Sequence, residues 1–165
     1  MRTIETKVYT IDDHPDPAKV YEWINNNWHD LGDNVLQEMA DSLKAFANDI
    51  GARVNWSMSI LPDRGEFIRF TFGDCESPTL GDAMLNLDLS GNCPFTGVCY
   101  DETILDAFRD AAKDANATLE SVLKDVEHKV LTVLHNEGEY LYGEEGLREM
   151  CECNEYEFTI EGAIV

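Results

Sequence analysis

Residues 33–72, DNVLQEMADSLKAFANDIGARVNWSMSILPDRGEFIRFTF, carry both periodicities of a folded chain in one run. Val35, Leu36, Met39, Ala40, Leu43, Phe46, Ala47 and Ile50 recur at helical spacing and form one apolar stripe, with Gly51 where a helix C-cap belongs. The period then falls to two. Val54, Trp56, Met58 and Ile60 alternate with Arg53, Asn55, Ser57 and Ser59, which predicts a half-buried strand. Pro62-Asp63-Arg64-Gly65 reads as a turn, and Ile68, Phe70 and Phe72 form the apolar side of a returning strand. The helix should pack its stripe on the hairpin, with Leu43, Phe46, Trp56 and Phe70 among the least accessible residues.

Toward the N-terminus, Thr3–Ile11 is rich in Thr, Ile, Val and Tyr and predicts a short strand. Asp16-Pro17 supplies an N-cap and a first-turn proline, and Val20, Tyr21, Ile24 and Trp28 follow on one helical face until Gly32 interrupts. Toward the C-terminus the pattern dissolves between Gly73 and Tyr100. A stretch of that length without structure is unusual, so a short element is expected around Met84–Leu89. Ile104, Leu105, Phe108, Ala111, Ala112 and Ala115 restore helical spacing. After Thr118, a plausible N-cap, Leu119, Val122, Leu123, Val126, Val130, Val133 and Leu134 predict a longer helix. A shorter helix is expected over Glu144–Cys151, and alternating Tyr156, Phe158 and Ile160 predict a last strand. The reading is one α+β domain over residues 1–165. Its small, mostly antiparallel sheet (N-terminal strand, central hairpin, C-terminal strand) packs against four to five helices.

Charge is the outlying property. The 165 residues hold 12 Lys and Arg against 33 Asp and Glu, a formal net charge of −21. Such a surface repels phosphate backbones and anionic lipid, which argues against direct nucleic-acid or membrane binding. No signal-like apolar core opens the chain, and Val54–Leu61 is far below the ~20 residues of a spanning helix. The expected location is the cytoplasm, where the 5 cysteines stay free thiols. No nucleophile elbow, phosphate loop, dinucleotide fingerprint or calcium loop is present, so neither an enzyme nor a cofactor is expected.

The acids are unevenly placed. Lys and Arg are absent from Thr71 to Ala107, a stretch holding Asp74, Glu76, Asp82, Asp88, Asp101, Glu102 and Asp106. After Glu137 only Arg148 answers a long series of glutamates. One reading is a solvated face that maintains solubility. The other is a phosphate mimic, with carboxylates spaced to fill the basic channel of a nucleic-acid-binding protein. Asp74, Glu76, Asp82, Asp88, Glu144, Glu145 and Glu149 are the candidate partner-binding residues, since they fall in loops or short helices. The alternative is a small zinc-binding regulatory protein. Cys93, Cys99, Cys151 and Cys153 would be the ligands, although neither pair has the usual separation of two to four residues. The histidines, His14, His29, His128 and His135, fit surface or capping roles.

Three segments carry a resemblance: Ile4-Glu5-Thr6-Lys7-Val8-Tyr9-Thr10-Ile11-Asp12, Thr96-Gly97-Val98-Cys99-Tyr100-Asp101, and Met150-Cys151-Glu152-Cys153-Asn154-Glu155-Tyr156-Glu157-Phe158-Thr159. They are similar to the markers of a group of small bacteriophage proteins. The chain departs from that group at His14-Pro15-Asp16-Pro17, where a Leu- and Ser-rich helix start is expected. The resemblance implies a phage or prophage origin and supplies no active site. Phages carry inhibitors of host nucleases, so it implies an anti-defence role, such as anti-CRISPR or anti-restriction. The partner would be a host defence protein with a basic nucleic-acid-binding surface.

Overall fold

A computed structural model describes residues 7–28, 31–73, 78–91 and 93–165. Among these the chain forms α1 (Pro17–Asn27), α2 (Asp33–Asp49), β1 (Ala52–Ser57), β2 (Phe67–Phe72), α3 (Leu80–Asn86), α4 (Tyr100–Ala111), α5 (Leu119–Leu141) and α6 (Glu144–Cys153). The class is α+β, as expected. Among the described residues the sheet is the antiparallel hairpin alone, in a register that pairs Ala52 with Phe72 and Trp56 with Ile68. No helix among the described residues is long and apolar enough to cross a membrane. The residues group into two compact units, one of residues 33–137 and one of residues 1–32 with 138–165.

In the unit of residues 33–137, the α2 stripe is buried as its spacing dictates. Met39, Leu43 and Phe46 are fully enclosed, and Ile50 ends the stripe. Gly51 stops the helix with φ +72°, a conformation that costs a side chain but not glycine. Phe46 is the centre of the core. Its ring meets Phe70, Phe95 and Phe108 edge-on at centroid distances of 5.7, 5.8 and 5.8 Å. Leu43 and Phe46 match expectation, whereas Trp56 and Phe70 are only half-buried. Helix α2 packs on β1 and reaches β2 through the Phe46–Phe70 ring contact. Trp56 lies under the Lys44 ammonium, 5.4 Å from its ring, and Phe70 borders a groove.

The expected element near Met84 is α3, shifted toward the N-terminus by its cap. Thr79 Oγ1 accepts from the Asp82 N–H at 3.2 Å, and Asp82 accepts from the Thr79 N–H at 3.0 Å. Thr118 caps α5 in a similar reciprocal way with Ser121. From α4, Ile104, Leu105 and Phe108 turn inward, and from α5, Val122, Val126, Val130 and Leu134.

In the other unit, Ile11, Val20, Ile24, Leu147, Cys151 and Phe158 form the core. Asp16 sits at the N-cap of α1 with Pro17 behind it, but its side chain makes no capping bond. The Asp16 N–H instead donates to Nδ1 of buried His14, whose Nε2 donates to the Thr159 carbonyl at 2.9 Å. Among the described residues the two terminal segments form isolated bridges. Thr3–Thr6 of the first lie outside the described residues, and of the rest Tyr9 pairs only with Phe158. Phe158 is buried and also bridges to Ile164, but Ile160 is 43% exposed, contrary to the alternation. The chain reverses at this point, with Thr159 N–H donating to Ala163 at 2.8 Å and Gly162 N–H to Thr159 at 2.9 Å. Gly162 has φ +87°, and a Cβ there would lie 2.6 Å from the Lys19 carbonyl. Only glycine lets the reversal pack against α1.

Candidate functional site

The candidate acids divide by what their carboxylates already hold. Asp74 and Glu76 lie outside the described residues, as do Cys75 and His29. Asp82 and Asp88 are exposed, yet each serves a local turn. Asp82 accepts from Thr79, and Asp88 from the Ser90 N–H at 3.0 Å and hydroxyl at 2.6 Å. Those hydrogen bonds hold both carboxyls below their usual range. Glu144, Glu145 and Glu149 are brought together on α6. The first two stand in its opening turn, where the helix dipole favours negative charge. Glu149 follows Glu145 by one turn and accepts from the Tyr140 hydroxyl. Arg148, between them in sequence, is turned to Asp12 and Glu152.

Asp101 does not belong with the surface acids. It is fully buried, and its carboxylate is ringed by donors. Ser42 and Thr96 hydroxyls reach Oδ1 at 2.6 and 2.9 Å, while the N–H groups of Phe95, Thr96 and Gly97 reach Oδ2 at 2.9, 2.7 and 3.0 Å. Burial alone would raise its pKa. The bonds from Ser42, Thr96 and Gly97 outweigh that and lower it. The Thr96–Asp101 segment is thus a loop clamp at the start of α4, tied to α2 through Ser42. The polar Ser42 inside the apolar stripe of α2 was its one sequence signal.

A second group of acids goes beyond the sequence-derived candidates. Glu102, Asp106 and Asp110 recur every fourth residue on α4, about 6 Å apart along the axis. They line a groove of about 570 Å³ with Cys99, Asp125, His128 and Lys129. Asp106 pairs with Arg109 at 3.0 Å and Asp110 with Lys113 at 2.6 Å, whereas Glu102 and Asp125 have no ion-pair partner among the described residues. The spacing of four was legible in the sequence, and the facing contribution from α5 was not. A further acid, Glu66, is nearly enclosed. It accepts from the Ser59 N–H at 2.9 Å, the Asp63 N–H at 3.1 Å and His135 Nε2 at 3.0 Å. Burial opposes its ionisation, and these bonds still bring its pKa below the usual value.

The described cysteines, Cys93, Cys99, Cys151 and Cys153, are free thiols. Cys151 is a core side chain, and burial pushes its thiol up to about 11, so at neutral pH it packs as a small hydrophobe. Cys99 and Cys153 are exposed, and Cys93 is half-buried. Among the described residues no group of three or more His, Cys, Asp or Glu side chains is arranged to hold a metal ion. No family model matches the sequence, and neither a curated protein nor a solved structure matches the chain.

Proposed function

We propose that the protein is a phage-encoded binding inhibitor of a host nucleic-acid-targeting defence system. In this reading it acts without catalysis, presenting carboxylates to the basic channel of a CRISPR or restriction effector and excluding the nucleic acid from it. The observation that carries the reading is the net charge of −21 together with the placement of the few cations. Lys44, Lys113, Lys124 and Arg148 each pair with an acid close in sequence, and Arg109 donates to the carbonyls of Leu89 and Gly91 as well as to Asp106. Among the described residues Glu102, Asp125, Glu144 and Glu145 form no ion pair.

Self-repulsion at this charge destabilises a compact chain, which favours a use for it beyond solubility. Spacings of about 6 Å along α4, and between Glu145 and Glu149 on α6, suit a channel that tracks successive phosphates. Of the candidate acids, Glu144, Glu145 and Glu149 on α6 are the strongest contributors, and Glu102 on α4 is a separate one. Asp82 and Asp88 contribute charge while also holding their turns.

Affinity capture from a bacterial host lysate tests the reading. The full chain should retain a nucleic-acid-binding defence protein, and a chain with Glu102, Glu144, Glu145 and Glu149 changed to Lys should not. Equal capture by both chains would remove the acids from the interface.

A further inference from the structure

The backbone of β2 marks a surface that does not depend on the inhibitor reading. Within the register of the hairpin, the Ile68 N–H donates to Oε1 of Glu127 on α5 at 2.9 Å. Ile68 therefore turns its backbone groups away from β1. Antiparallel pairing alternates inward and outward groups with period two, so Phe70 and Phe72 turn theirs outward as well. Among the described residues no side chain or loop takes the Phe70 N–H on that side. The space beside the strand is a groove of about 1110 Å³, lined by Phe70 and Phe72 of β2, Leu119 and Leu123 of α5, and Gly81 of α3.

We propose that this groove binds an extended, cationic peptide segment of another protein, added as a strand against β2. Outward backbone groups repeating every second residue, about 6.8 Å apart, match an extended chain and no helix. The apolar walls suit the alternate side chains of such a strand. Charge selects its sign. Glu66 is held by His135, and Glu120 by Lys124 at 2.9 Å. Glu127 engages Ile68 through one oxygen, and the three carboxylates that line the groove, Glu66, Glu120 and Glu127, outnumber its two cations, Arg69 and Lys124. A second copy of the chain would set −21 against −21, and an acidic segment would meet the same field.

The test uses the full isotope-labelled chain and a blocked seven-residue peptide of alternating Lys and Val. Binding should be saturable and should shift the amides of residues 67–72 and 79–81. N-methylation of the Val residues, which removes edge donors and keeps the charge, should weaken it at least tenfold. A Glu-Val peptide should not bind. Gly81→Trp should also weaken binding at least tenfold, because a Cβ at Gly81 meets only Thr79 Oγ1, at 3.7 Å, and a larger side chain can extend into the groove. If that variant loses helicity, the N-methyl comparison on the unaltered chain decides alone. Equal binding of the N-methylated peptide, or shifts centred on α6, would reduce the effect to charge adsorption and overturn the proposal. So would self-association abolished by Gly81→Trp, which would make a second copy the occupant.

Discussion

At Asp101 a carboxylate serves the chain's own backbone. Five donors converge on a fully buried group, so an isosteric amide would face several of them with hydrogens. Asp101→Asn should therefore cost roughly 3 kcal/mol in chemical denaturation, and a loss below about 1 would mean the loop re-forms without the charge. Asp101 and Glu66 both have folded pKa values lowered from 3.8 and 4.5 respectively. Their contribution is complete above those values and is lost as pH falls through the lower, folded ones. Stability followed by circular dichroism should drop as pH is lowered below about 4, with a shallower acid limb in Asp101→Asn. An unchanged limb in that variant would assign acid sensitivity to other groups.

At the scale of elements, α2 and the hairpin were legible because each holds its periodicity along its length, α2 burying its stripe and the strands half-burying theirs. Phe46 follows from that stripe, and its contacts with Phe70, Phe95 and Phe108 make Phe46→Ala a cavity mutation of about 3–5 kcal/mol. Equilibrium unfolding reads this directly, and a cost under about 1 would contradict the packing. Among the described residues the C-terminal segment does not continue as the strand its alternation predicts. Alternation at Tyr156, Phe158 and Ile160 is the same whether a strand continues or reverses after Phe158, and only the glycine at 162 hinted at the reversal. The acids show the same limit. Counting reveals an excess of carboxylates, but which of them cap α3, hold a turn or line the α4 groove depends on neighbours that periodicity does not supply. Exposed Glu145→Lys and Glu149→Lys should each change stability by less than ~0.5 kcal/mol, so thermal melts within a few degrees of the parent are expected. A large drop would show that α6 needs these acids for folding.

For the whole molecule, the net charge of −21 sets the behaviour that matters for function. Binding driven by that charge acts largely through encounter, so association should slow steeply as salt rises while dissociation changes little. Stopped-flow or surface-based kinetics across salt concentrations would show it, and a salt-independent association rate would point to an apolar interface instead. The central claim is occupation of a nucleic-acid site, and direct competition tests it most closely. The captured defence protein, loaded with labelled nucleic acid, is titrated with this chain. The account predicts stoichiometric release of the nucleic acid, mutual exclusion at every salt concentration where both bind, and no release by the chain carrying lysines at 102, 144, 145 and 149. A ternary complex in which the nucleic acid stays bound beside this protein would contradict it.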